Sequence, residues 1–242
     1  MNVAASLPPV RVLMNWSGGK DSALALYRLL RDPAYSVTDL LTTLNGPNGR
    51  VSMHGVRQEL VAAQARRIGL PLHTLALPDP TPMADYARQL ADTLRPVAAG
   101  GVTHAAYGDL FLEDLRQWRE QQLAAVGLTG LFPLWRLDSR ALLEEFWAAG
   151  FRTIVVAVNG QILDPSFCGR DLDRGFVADL PPGVDPCGEN GEFHTFVVDA
   201  PYFSRPISVK RGETVERTYC FTDAAGRAHT SLYYFTDLLP MP

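Results

Sequence analysis

The chain has 242 residues, 47% of them hydrophobic and 20% charged, with a formal net charge of −4. That length gives one or two domains with a proper core. The charge balance leaves no broad electrostatic footprint for nucleic acid, and no apolar run nears the ~18 residues that a membrane-spanning helix needs.

Met1 to Pro9 lacks a basic region followed by an apolar core, so no secretory signal is expected there. Val10 to Met14 reads as a first strand. Ser17-Gly18-Gly19-Lys20-Asp21-Ser22 follows, and then Ala23, Leu26, Tyr27 and Leu30 at i, i+3, i+4 and i+7, the spacing of one helical face. Val37 to Leu44 is a second strand, and Val56, Leu60, Ala63 and Ile68 approximate a helical face. Leu72 to Leu77 is a third strand. Met83, Tyr86, Ala87, Leu90 and Leu94 mark a further helix. His104 to Tyr107 is a fourth strand ending at Gly108-Asp109, and a charged helix covers about Leu112 to Val126. Strands alternating with helices predict a parallel sheet wrapped on both faces. Ligands gather beyond the carboxyl ends of such strands, where Ser17 to Ser22, Asn45 and Asp109 would line one cleft.

From Leu131 the pattern changes. Phe132 to Trp135 looks extended, Leu142, Leu143 and Phe146 form a helix ending at Gly150, and Thr153 to Val158 is a β-branched strand. Residues 159–195 lose periodicity and fill with Gly, Pro, Asp, Cys and Asn, a length of irregular chain that points to function. Ile207 to Leu238 reads as β, with a turn around Asp223-Ala224-Ala225-Gly226 between Thr218 to Thr222 and Thr230 to Phe235. The expected division is a nucleotide-binding domain over residues 1–130 and a smaller mixed α+β domain over 131–242. The terminal hairpin of the second domain is compatible with a homodimer.

Two stretches carry chemistry. At Ser17 to Ser22 a strand, a glycine turn and a helix N-terminus coincide, so free N–H groups and the positive end of the helix dipole meet an anion there. Gly18 and Gly19 open the backbone, Ser17 and Ser22 add hydroxyls, and Lys20 adds a mobile positive charge. Asp21 would repel a bare phosphate and makes sense as a Mg2+ ligand or an orienter of the loop. Neither the Gly-x-x-x-x-Gly-Lys-Ser/Thr loop nor the Gly-x-Gly-x-x-Gly fingerprint fits these residues. The second stretch, Gly188-Glu189-Asn190-Gly191-Glu192-Phe193-His194-Thr195, sets two carboxylates three residues apart beside a histidine. Such a pair suits a cation, a substrate ammonium or general base work.

The first stretch resembles the PP-loop of the ATP pyrophosphatases, Ser-Gly-Gly-x-Asp-Ser. The second resembles the Glu-Gly-Gly-Glu-Phe-Glu-Thr motif of the diphthine–ammonia ligase family, which opens with Ser-Gly-Gly-Lys-Asp-Ser. Met53-His54-Gly55-Val56, Gly108-Asp109, Pro133-Leu134-Trp135, Phe167-Cys168-Gly169-Arg170 and Asp199-Ala200-Pro201 occur in the family's order. The resemblance implies a PP-loop, adenine nucleotide alpha hydrolase-like (HUP-like) α/β fold. The implied activity is an ATP-dependent ligase that adenylates a carboxylate, small or protein-borne, for attack by ammonia, releasing AMP and pyrophosphate. It assigns catalysis to Lys20, Asp21, Glu189, Glu192 and His194. ATP would meet Ser17, Gly18, Gly19, Lys20, Asp21, Ser22, Asn45, His54, Gly108 and Asp109, with Mg2+ at Asp21 and Asp109. The chain departs from the diphthine motif at Asn190 and His194, and the histidine form is similar to a bacterial branch. This places the substrate away from diphthine.

Other readings stay open at this stage: a PP-loop sulfurtransferase or tRNA-modifying enzyme using Cys187, or a non-catalytic adenine-nucleotide-binding protein. The three cysteines, Cys168, Cys187 and Cys220, are odd in number and widely spaced, which argues against a disulfide framework and for a cytoplasmic setting. Cys168, Cys187, His54 and His194 lack the spacing of a zinc cage. Asp109 would serve equally as a helix N-cap.

Overall fold

A computed structural model describes residues 8–46, 49–78, 81–222 and 228–241. The first sheet is built from β1 (Val10–Asn15), β2 (Tyr35–Asn45), β4 (Leu72–Leu77), β5 (His104–Ala106) and β6 (Thr129–Leu131), all parallel, with the short β3 (Arg50–Val51) antiparallel at the tip of β2. Numbered among themselves, the parallel strands lie in the order 3-2-1-4-5. Chain direction across the sheet therefore reverses between β1 and β5, the switch point at which doubly wound sheets bind ligands.

The sheet is buried on both faces, which is why β1 reads as a continuous apolar run. Val12 and Met14 face one way, into a core with Ala23, Leu26 and Leu29 of α1 (Lys20–Arg31) and Leu60 and Val61 of α2 (Gln58–Ile68). Leu13 faces the other way, packing with Leu90 and Leu94 of α3 (Met83–Ala99) and Leu123 of α4 (Glu113–Ala124). In α1 the apolar face continues to Leu29, not to the expected Leu30, which is 45% exposed.

The second sheet is antiparallel, in the order β8 (Phe193–Asp199), β7 (Arg152–Asn159), β10 (Ala228–Pro240), β9 (Val209–Thr222). The expected hairpin is present as the β9–β10 ladder. The turn assigned to residues 223–226 lies outside the described residues. Before this sheet comes α5 (Ser139–Ala148), whose N-cap Asp138 accepts from the Ala141 N–H. The expected extended segment Phe132 to Trp135 is a turn. The strand is Thr129–Leu131, and it pairs with β5 in the first sheet. The aperiodic stretch contains a six-residue helix, α6 (Arg174–Asp179), capped by Asp173 and too short to show a period. The core below α1 runs on through Phe146 to Val155, Phe193 and Phe196, so the two sheets share one apolar interior.

Candidate active site

The loop from Trp16 to Gly19 leaves β1 at the switch point. Lys20 is the first residue of α1 and is 4% exposed, and its ammonium lies 2.7 and 2.8 Å from the two oxygens of Asp21. The positive charge is therefore fixed, contrary to the expectation of a mobile one. Burial works against that charge, but Asp21, Cys187 and Glu189 outweigh it and the Lys20 pKa ends above its ordinary value. Burial raises the Asp21 carboxyl while Lys20 opposes the rise.

The serines hold the loop. Ser22 Oγ donates to the Gly19 carbonyl at 3.0 Å, which leaves Ser17 Oγ to donate to Ser22 at 3.2 Å while accepting from the Gly19 N–H at 3.3 Å. The absent side chains of the glycines make room for protein atoms. A Cβ on Gly18 would lie 2.6 Å from Gln64 Oε1, and one on Gly19 would lie 2.7 Å from His54 Cε1. At Gly108, just past β5, a Cβ would come within 2.6 Å of the Asp21 carbonyl carbon, so only glycine lets the β5 exit touch the start of α1.

The acidic loop closes the cleft from the second sheet. Thr195 Oγ1 accepts from the Lys20 N–H at 3.0 Å, and the Val197 N–H donates to the Gly18 carbonyl at 2.8 Å. Glu189 accepts from the Leu110 N–H at 2.9 Å, binding this loop to the β5 exit. Burial and the neighbouring Asp21 push its carboxyl up to about 7. Glu192 is placed differently. It is 3% exposed, and its oxygens accept from the N–H groups of Asp185 (3.1 Å) and Asn190 (2.9 Å) and from the Asn190 side-chain amide (3.1 Å). The departure to Asn190 thus adds a donor to a carboxylate that shapes its own loop.

His54 and His194 meet beside Gly19 with ring centroids 4.8 Å apart. Asp109 is gripped by Arg119 at 2.7 and 3.2 Å. It is not a helix N-cap, because α4 begins at Glu113 after Leu112. Asn45 ends β2, beside Leu77 and Arg50 in register. Cys187 is 2% exposed, its thiol donates to the Ser139 carbonyl, and burial pushes its pKa up to about 12. Among the described residues no three His, Cys, Asp or Glu side chains are grouped to hold a metal ion. Clefts of about 380 and 420 Å³ open elsewhere, between α5 and α6 and beside Ile207 and Val209, away from this site.

Sequence reasoning missed Gln64. Fully buried on α2, it accepts from Trp16 Nε1 at 2.9 Å and donates to the carbonyls of Gly18 (3.1 Å) and Val197 (2.6 Å). One amide thereby ties the loop, α2 and β8 together. The available signal was its position four residues after Leu60, a polar residue on an apolar stripe.

A Ser-Gly-Gly-Lys-Asp-Ser loop at the switch point of a doubly wound sheet, faced by an acidic loop, defines an enzyme of the PP-loop kind, an ATP-dependent amide-forming ligase. The diphthamide synthase N-terminal domain matches residues 10–130 and the diphthamide synthase C-terminal domain matches residues 138–226. The chain belongs to the diphthamide synthase family. It is similar to the diphthine–ammonia ligase of Danio rerio, 27% identical over 237 residues that cover 85% of this chain and 89% of that protein. The Bos taurus enzyme of the same name is 29% identical over 54% of this chain and 52% of its own length. The Homo sapiens enzyme is 31% identical over 43% and 41%.

Proposed function

We propose that this enzyme joins a carboxylate to ammonia by way of an acyl-adenylate. A carboxylate oxygen attacks the α-phosphorus of ATP and pyrophosphate leaves. Ammonia then attacks the acyl carbon, the C–O bond to AMP breaks, and that oxygen departs on AMP. The amide nitrogen releases a proton to solvent. A carboxylate is a poor acyl donor, and adenylation gives it a good leaving group.

The observation that carries this reading is the buried Lys20–Asp21 pair at the switch point, set against the acidic loop. Lys20 would stabilise the charge that develops on the departing pyrophosphate. Asp21 and Glu189 act on this single ammonium and Asp185 acts on Asp21, so a triphosphate entering alone would meet carboxylates. Among the described residues there is no all-protein cage, and these carboxylates fit Mg2+, which binds through one or two carboxylates and the phosphates themselves. Asp21 would hold it. Asp109, paired with Arg119 as Asp21 is with Lys20, would be a second ligand. When bound, the ion would offset charge on the phosphates.

The relatives' name supports ammonia as the nitrogen donor. His194, standing where the diphthine motif carries an acid, supports a carboxylate other than diphthine. Sulfur transfer would need a thiolate, and the buried, hydrogen-bonded Cys187 is a poor source of one. The place of work we assign is the cytoplasm, where ATP is plentiful. No helix among the described residues is long and apolar enough to cross a membrane. The test is a product assay with candidate carboxylates labelled with heavy oxygen, plus ATP and ammonium. AMP carrying the label, together with pyrophosphate, is expected. ADP and phosphate as the main products would overturn the reading.

A further inference from the structure

The stacked histidines beside the phosphate loop have a defined chemistry. His54 Nδ1 lies 2.9 Å from the Thr195 carbonyl oxygen. A carbonyl brings no hydrogen, so the ring proton sits on Nδ1 and Nε2 is left as a bare lone pair. Nε2 of His194 is buried and has no hydrogen-bond partner among the described residues. The rings lie 4.8 Å apart at 36°, and His54 rests against the backbone of Gly19.

Both rings are held neutral. Burial draws His54 down to about 4 against the pull of the Thr195 carbonyl, and draws His194 well below its ordinary value. The charged group acting on the pair is Lys20, which disfavours a second cation. Phosphate and carboxylate oxygens only accept hydrogen bonds, so an acceptor lone pair at this place cannot serve them. It fits a hydrogen-bond donor, and a neutral one, because the setting that resists an imidazolium also resists an ammonium ion. Among the reacting groups proposed above, the carboxylate, the phosphates and the amine, unprotonated ammonia has these properties. The ribose hydroxyls and 6-amino group of ATP are also neutral donors, and separate KM values for ammonia and ATP tell them apart.

We propose that His54 and His194 form the seat of neutral ammonia, with His54 Nε2 accepting one N–H bond so that the nitrogen lone pair is turned toward the acyl carbon. This rests on the ligase reading given above. The seat selects NH3 over NH4+, and His54 acts as a positioning residue that takes no proton from the nucleophile.

Two measurements test it. In wild-type enzyme with 15N-labelled histidine and no carboxylate, ammonium chloride should shift the His54 Nε2 resonance while potassium chloride should not. The response should follow free ammonia, not total ammonium, between about pH 7 and about pH 9. No shift, or one that follows ionic strength, overturns the seat even if the ligase reading stands. In turnover, His54→Asn keeps an N–H donor for the Thr195 carbonyl but removes the lone pair. It should raise the KM for ammonia about tenfold, the worth of one hydrogen bond, and leave the KM for ATP within about twofold. An unchanged ammonia KM, or ammonia and ATP KM rising together, refutes the seat. A wild-type enzyme that releases no AMP with any carboxylate refutes the ligase reading instead, and the resonance experiment still decides on the histidines.

Discussion

The loop of residues 17–22 and the loop of residues 185–195 border the same cleft but are held in opposite ways. The first has a closed set of local bonds, Ser22 to Gly19, Ser17 to Gly19 and Lys20 to Asp21, and is then gripped from outside by Gln64, Thr195 and Val197. The second is closed internally by one buried carboxylate, Glu192, and then reaches across the molecule to Leu110 and Lys20. A local loop can be recognised in six letters. A loop set by distant partners has its role divided among residues whose types look alike. Glu189 faces the cleft and Glu192 faces inward, although both are glutamates three positions apart in one motif.

The widest break in this arrangement comes from removing the bridge between the loops. Gln64→Leu leaves Trp16 Nε1 and the Val197 carbonyl without their partner inside the core, and should cost about 4 kcal/mol of unfolding free energy. Denaturant titration would show it, and a loss under about 1 kcal/mol would mean the loops stand without the bridge.

Acid probes the junction from the other side. The folded His54 titrates near 4 against an ordinary 6.5, so between those values the unfolded chain binds a proton that the folded one refuses. The stabilisation is complete above about pH 6.5 and fades as pH falls toward 4, by about 3 kcal/mol for this residue. Thermal melts across that range should fall steeply in wild type and less in His54→Asn. Equal slopes would place the acid sensitivity elsewhere.

Lys20→Ala removes the charge at the centre of the first loop. Loss of one strong charge at the leaving group should slow AMP release about a hundredfold, roughly 3 kcal/mol of barrier. Turnover within threefold of wild type would reduce the loop to a structural element.

The smallest effect sharpens the contrast between the two glutamates. Glu192→Gln turns one acceptor of backbone N–H bonds into a donor and should cost about 1–2 kcal/mol of stability, with activity falling only as folding falls. Glu189→Gln, by contrast, should keep stability within about 0.5 kcal/mol and lose turnover. If the two variants exchanged these phenotypes, the division of labour between them would be reversed.

The order of strands and helices was readable because each element buries a face and its period shows. Errors fell where burial is decided by a partner far along the chain. Phe132 to Trp135 has an extended, aromatic look, yet β6 ends at Leu131, where its ladder with β5 ends. Leu30 fits a helical spacing but points outward. At the site, the PP-loop residues, His54, Gly108 and the acidic motif were all identifiable by type. What they do was less so. Lys20 looked free because nothing local announces its burial, Gln64 carries no motif that would single it out, and Glu192 could not be told from Glu189 until its loop was seen folded around it.

The bonds from Val197 and Thr195 to the start of the phosphate loop also carry a consequence for biosynthesis. Two of the bonds that give the loop its shape belong to residues made about 180 positions later in translation. A ribosome that has made the six-residue signature but not β8 has not yet made the partners of those bonds. The finished shape of the loop arrives with β8, so a chain that stops short of it carries the signature without two of the bonds that order it.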